Sequence, residues 1–257
     1  MALDFSGRTA LVVGEDGPRT AAIAQRRREQ GADARRGADG TALVRDAMNE
    51  RGRVDILVLA NDAPADGTLL TLTGEESSDI FNRQLKGAID TVRAALPLMR
   101  EADYGRIVAC VPSTGMFGTD RGVAQCIAAA GVIALARSLG ISNLDRDIRS
   151  NIVSYVAATP ASEGLFAQHP LLQRELFKID AILPAITYLA HEACKLTGDA
   201  ISAGAGRYAR MFTSITLGGF DPDIGDDAFE SLLPKVMDAR STFAPRTAVD
   251  ELITIAV

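Results

Sequence analysis

The stretch from Gly105 to Val132, GRIVACVPSTGMFGTDRGVAQCIAAAGV, constrains the fold more than any other part of the chain. Ile107 to Val111 is an unbroken apolar run of strand length, the pattern of a strand buried on both faces. A loop punctuated by Gly115 and Gly118 follows. From about Val123 the chain turns to small residues, among them Ala128, Ala129, Ala130, Gly131 and Ala134, which let a helix approach its neighbours closely. A strand buried on both faces needs helices above and below it. The stretch therefore points to a doubly wound α/β domain with a parallel sheet.

The same alternation recurs on either side. Thr9 to Val13 is a short apolar run between Gly7 and Gly14, and a helical pattern from Thr20 to Gln30 stops at Gly31. Only 23 residues then separate Gly31 from the next strand, Asp55 to Ala60, and they hold one helix, Thr41 to Arg51. A parallel crossover takes a dozen residues or more, so a truncated β2–β3 region is expected, with one strand–helix unit missing. Downstream the pattern predicts an amphipathic helix over Gly74 to Met99, with Pro97 near its end, and a helix over Val123 to Gly140. A strand over Ile148 to Tyr155, a helix over Ile182 to Cys194 and a strand over Leu196 to Ala203 follow. Residues 1–204 read as one domain. Residues 205–257 read as a helical extension, with helices over Asp227 to Ala239 and Thr247 to Ile255.

The chain has 257 residues, 47% of them hydrophobic, enough for one sizeable core. Its net charge of −6 and short basic clusters argue against nucleic acid as a partner. Arg26 to Arg28 reads as a solvated helix face. No uninterrupted apolar run is long enough to span a bilayer, and three cysteines without metal-like spacing suit a reducing compartment, so a cytoplasmic location is expected. His169 and His191 are far apart and His191 lacks the second histidine of a zinc helix, so no metal site is expected. The cluster Asp221, Asp223, Asp226 and Asp227 reads as a helix cap, with Asp226 or a neighbour as N-cap.

GRIV, Gly115, Gly118 and the Ala-Gly pair of the following helix resemble the catalytic segment of the short-chain dehydrogenase/reductase family. The family places a serine after the strand, a tyrosine thirteen residues on and a lysine four residues later; these positions hold Pro112, Gln125 and Ala129. Its helix asparagine corresponds to Gln84. Its cofactor motif TGxxxGxG runs here from Val13 to Thr20, keeping Gly14 and replacing the other two glycines with Pro18 and Thr20. Glu15 and Asp16 bring carboxylates to a place suited to a diphosphate. The cofactor-lining NNAG and Pro-Gly positions are represented by Asn61, Asp62, Tyr155 and Val156. A misalignment does not account for the loss, since none of Tyr104, Tyr155, Tyr188 and Tyr208 has a lysine four residues on. Gln125 has no proton to titrate near neutrality, and Ala129 has neither charge nor hydrogen bond to offer.

The carboxy-terminal third, ITYLAHEACKLTGDAISAGAGRYARMF followed by ITLGGFDP, resembles the (3R)-hydroxyacyl-CoA dehydrogenase branch of that family. The resemblance implies a Rossmann-like fold and a β-hydroxyacyl-CoA context, as in anaerobic aromatic β-oxidation. It implies a pseudoenzyme: no cofactor on this chain, NAD on a catalytic paralogue, and a heterotetramer of the two. Two alternatives stay open. One is a cofactor-independent lyase, hydratase or isomerase using Asp62, Lys86 or Cys126. The other is an acyl-CoA-binding regulatory module.

Overall fold

The structure, a computed structural model, describes residues 3–61, 67–158 and 171–255, together with Ser162, Phe166, Ala167 and His169. The chain divides into two compact units, Met1–Arg210 and Met211–Val257. The expected division after Gly204 falls at the turn that leads into the last strand of the first unit.

In the first unit β1 (Thr9–Val13), α1 (Pro18–Glu29), β2 (Asp33–Gly37), α2 (Gly40–Arg51) and β3 (Ile56–Leu59) come in order. Then come α3 (Gly74–Ile80), a π-helical turn (Phe81–Lys86), α4 (Gly87–Glu101), β4 (Tyr104–Pro112), the single turn α5 (Thr114–Phe117) and α6 (Val123–Ser142). β5 (Asp147–Tyr155), α7 (Leu183–Ala190), β6 (Ala200–Gly204) and β7 (Arg207–Met211) complete it. The seven strands form one sheet in the order β2-β1-β3-β4-β5-β6-β7, parallel from β2 to β6. β7 returns through the two-residue link Ala205–Gly206, both at positive φ, as a tight hairpin requires.

The expected deletion is visible in this order. A dinucleotide-binding sheet reads 3-2-1-4-5-6, and here no strand of the described residues lies outside β2. Asp33–Gly37 is a strand although DARRG shows no apolar alternation. It is an edge, and charge is what an edge strand tolerates. Asp33 takes Arg51 at 2.7 Å and Arg35 at 3.1 Å, and Arg35 reaches Glu50 at 3.0 Å.

Both faces of the central strands are covered. Ala10, Val12, Val58, Val108 and Val153 pack with Ile23, Ala24, Leu183 and Ile186 of α1 and α7. The alternate residues Leu11, Leu57, Ile107 and Ile152 are equally buried, and each such side chain contributes about 1.5–3 kcal/mol. By length and apolarity α6 passes for a membrane-crossing helix. Its Ala128, Ala129, Val132 and Ala136 are nevertheless buried in the domain core. Helix α7 ends at Ala190, short of Cys194. His191 leaves helical geometry and its Nδ1 accepts the Ala193 amide at 3.1 Å.

The second unit contains the antiparallel pair β8 (Ile215–Thr216) and β9 (Thr242–Phe243), a 3-10 segment over Asp226–Leu232, and two helices, α8 (Leu233–Val236) and α9 (Ala248–Ile255). The helix expected over Asp227–Ala239 is broken because Pro234 cannot donate a backbone hydrogen bond; it starts a new helix instead. Asp226 is not an N-cap. Gly225 holds that position without a side-chain bond, and Asp221 Oδ1 accepts the Asp223 amide at 3.1 Å.

Two arginines are fully buried for opposite reasons. Arg106 donates to the carbonyls of Gly105, Asp147, His191 and Glu192 and forks onto the Asp147 carboxylate at 3.0 and 3.2 Å. Arg27 has the Thr187 hydroxyl and the Phe5 ring, 4.6 Å from its guanidinium carbon. Burial pushes its pKa down to about 10. Arg106→Met is expected to cost about 3 kcal/mol or more, because buried acceptors lose their donor. Arg27→Met is expected to leave the urea midpoint unchanged or raise it. Urea melts of both variants check the contrast.

Candidate functional site

In open α/β sheets ligands bind beyond the carboxyl ends of the strands, where the strand order reverses. Here that place lies between β1 and β3, with β2 and β4 to either side. Gly14 ends β1 and is held by strand packing. A Cβ there would lie 2.4 Å from the Ala60 carbonyl oxygen. The Ala60 amide donates to Val13 at 2.7 Å, and the Gly14 amide to Gly37 at 2.9 Å. The surviving glycine thus has a reason unrelated to any phosphate.

The Thr20 hydroxyl braces the loop from Glu15 to Thr20. Pro18 opens α1, where its missing amide costs nothing. The Thr20 hydroxyl donates to the Glu15 carbonyl at 2.9 Å and accepts the Gly17 amide at 3.3 Å. The two carboxylates are paired: Asp16 with Arg36, and Glu15 with Arg83 at 3.9 Å.

Sequence reasoning missed Arg19. Its side chain is buried and crosses the strand ends. Nη2 donates to the Ala60 carbonyl at 2.6 Å and Nη1 to the Tyr155 hydroxyl. The guanidinium carbon lies 4.7 Å from the Tyr155 ring centroid. One residue of α1 thereby ties the end of β3 to the end of β5. Val156 continues the ladder, its amide donating to Ala203 at 3.0 Å. A buried Arg with a Tyr partner 136 positions away leaves no local signal in the sequence.

The positions aligned with catalytic residues are placed as follows. Pro112 ends β4 directly beside Tyr155. Gln125 is half-buried in the first turns of α6. Ala129, one turn further on, is fully buried, and a Cβ on Gly115 would lie 2.7 Å from its Cβ. Helix α5 therefore lies directly against Ala129. Ser113 starts α5 through its carbonyl, which accepts the Met116 amide at 3.0 Å. Cys126 Sγ donates to the Thr114 carbonyl at 3.0 Å, and Lys86 pairs with Asp90. Asn61 Nδ2 donates to the Arg83 carbonyl at 3.0 Å. Gln84, in the π turn, is 1% exposed. Asp62 lies outside the described residues.

His191 Nε2 meets the Asp4 carbonyl at 3.0 Å at the opposite end of the sheet from Pro112 and Tyr155. Among the described residues no group of three metal-ligating side chains occurs.

These residues do not fit a dinucleotide. The Arg19 side chain crosses the cleft, the amide at Gly17 is already bonded, and a buried alanine, Ala129, stands at the position of a ribose-holding lysine.

The family described as enoyl-(acyl carrier protein) reductase matches residues 11–206. The chain is 31% identical to peroxisomal multifunctional enzyme type 2 of Drosophila melanogaster over 168 residues, 65% of this chain and 28% of that protein. It is 27% identical to the peroxisomal hydratase-dehydrogenase-epimerase of Saccharomyces cerevisiae over 198 residues, 77% of this chain and 22% of that one. The chain thus spans under a third of the length of either relative. The solved structure of the full-length Drosophila enzyme superposes with a TM-score of 0.81 over 99% of this chain and 49% of that one, at 21% identity. At that identity the likeness concerns the fold.

Restoring the family residues is expected to fail for a steric reason. Ala129→Lys should cost about 3 kcal/mol or more by overpacking α5 and burying a charge. The triple variant Pro112→Ser, Gln125→Tyr, Ala129→Lys should show no nicotinamide-dependent turnover of a hydroxyacyl-CoA. Thermal melts and an absorbance assay for reduced nicotinamide check both.

Proposed function

The chain belongs to the short-chain dehydrogenase/reductase family, and from that premise we propose that it is the non-catalytic subunit of a hetero-oligomeric NAD-dependent dehydrogenase. The catalytic partner is a paralogue with the serine, tyrosine and lysine intact, and it alone holds NAD. The substrate is a β-hydroxyacyl-CoA-type thioester. The arrangement is similar in kind to the inactive subunit of the 2-[hydroxy(phenyl)methyl]-succinyl-CoA dehydrogenase of anaerobic toluene breakdown. This chain's part is association.

The observation that carries the reading is helix α6, whose two faces differ in kind. Its inner face closes on α5 at Ala129, where the chemistry of the family requires a lysine. Its outer face exposes Ile127, Ala130, Ala134, Ser138 and Ile141, spaced as one continuous stripe. An exposed apolar or small-residue stripe of this kind is how a soluble domain presents a partner-binding surface. The three free thiols suit a reducing, cytoplasmic setting. For the cofactor-independent lyase, hydratase or isomerase, Asp62 lies outside the described residues, and Lys86 and the Cys126 thiol are already engaged with Asp90 and the Thr114 carbonyl.

Native mass spectrometry of the untagged complex from its own cells is expected to show a second, related polypeptide at equal stoichiometry. A homo-oligomer alone would sink the reading. The second unit exposes Phe220, Phe229 and Leu252, and we assign it to the partner's substrate entrance. Deleting residues 211–257 should keep the complex together and lower the partner's kcat/KM at least about tenfold, a loss of about 1.4 kcal/mol in transition-state stabilisation. Unchanged kcat/KM in the truncated complex would remove that assignment.

A further inference from the structure

The carboxyl ends of β1, β2 and β3, the π turn and α4 enclose a cavity of about 380 Å³. That volume lies in the lower range of small-molecule sites, and the place is the switch point of the sheet. It exists because α2 packs straight onto α4: a Cβ on Gly40 would lie 2.0 Å from Thr91 Oγ1. The cleft crossed by Arg19 is a separate feature, since neither Arg19 nor Tyr155 lines this cavity.

Gln84 is part of the wall. It is 1% exposed, yet its Nε2 and Oε1 are both without hydrogen-bond partners. Leaving one such buried group unpaired costs about 1–3 kcal/mol, and native proteins seldom leave both ends of an amide so. Asn61, also in the wall, repeats the pattern. Its Nδ2 is spent on Arg83, and its Oδ1 is buried without a partner. The backbone that carries Gln84 is the π turn Phe81–Lys86 between two α-helices. Such turns are rare and concentrate at functional sites.

The charge of the wall selects against anions. Glu15, Asp39 and Asp90 share the lining with Arg83, and Asp90 is also met by Lys86 and, at 3.8 Å, by Arg93. Arg83 is already paired with Asp79 and Glu15. A phosphate or carboxylate would enter a net negative field. What Gln84 offers is a donor and an acceptor side by side, the complement of another amide edge.

We propose that this cavity binds an uncharged ligand through an amide or lactam edge. Gln84 Nε2 donates to the ligand carbonyl and Gln84 Oε1 accepts the ligand N–H, while Asn61 Oδ1 takes a further ligand donor. The ligand class is a neutral carboxamide or cyclic imide, with no phosphate.

The test uses the full chain, isotopically labelled, with benzamide as the probe and benzoate as its charged isostere. Benzamide is expected to shift the side-chain amide signals of Gln84 and Asn61 saturably, and benzoate to bind at least tenfold more weakly. Gln84→Leu should weaken benzamide at least tenfold while the thermal midpoint stays level or rises, because an unpaired polar group is removed. Gln84→Met, of similar length and without a hydrogen-bonding edge, should weaken it as well and guards against a packing defect in the first variant. No saturable shift with benzamide, equal binding of benzoate, or undiminished binding in both variants would overturn the proposal.

Discussion

A parallel sheet has to be covered on both faces, and the rest of this structure follows from how the chain meets that demand with one strand–helix unit missing. The apolar runs of β1, β3, β4 and β5 have no solvated side; every residue from Ala10 to Val13 and from Ile56 to Leu59 is buried. With no strand of the described residues outside β2, α2 has no helix of a further unit to lie against. It closes onto α4 at Gly40 and Thr91 instead. The strand order becomes 2-1-3-4-5, which keeps a reversal point at β1 and β3 while removing the sheet that lies beyond it in a dinucleotide-binding unit.

The cleft at the carboxyl ends of β1 and β3 pairs several of its own polar groups. A phosphate site works by presenting unpaired amides and positive charge at a helix N-terminus. Here the Thr20 hydroxyl takes the Gly17 amide, Asp16 and Glu15 are neutralised by Arg36 and Arg83, and Arg19 lies across the strand ends against Tyr155. A buried unpaired polar group is expensive. The chain supplies its own guanidinium. The cavity at Gln84 is the exception: both ends of the Gln84 amide and the Asn61 Oδ1 beside it are buried without a partner.

The core strands and long helices were legible because burial on both faces writes itself as an apolar run, and an amphipathic helix writes itself as a period. The missing unit was legible by counting residues between Gly31 and Asp55. The strand Asp33–Gly37 was not, because an edge strand buries little and its residues were chosen for charge. The π turn left no trace, since Phe81 to Lys86 keeps a helical pattern on either side. In the second unit Pro234 divided a helix that the periodicity had run together, and the cap fell on Asp226's neighbour Gly225, without a side-chain bond. The family positions Pro112, Gln125 and Ala129 could be located by spacing alone, but spacing could not say what had filled the volume of the absent side chains.

The sequence by itself determined the α/β class, the truncated half of the sheet and the residue types at each position where the family does chemistry. These depend on patterns within a few turns or strands, which local spacing records. Only the tertiary structure decided that Arg19 reaches Tyr155, that α5 lies against Ala129 at Gly115, and that Gln84 is buried with its amide unpaired. Each of those is a meeting of side chains from elements far apart in the chain. The packing of α1, α4 and α6 on a shortened sheet sets their distances, and no local pattern encodes it.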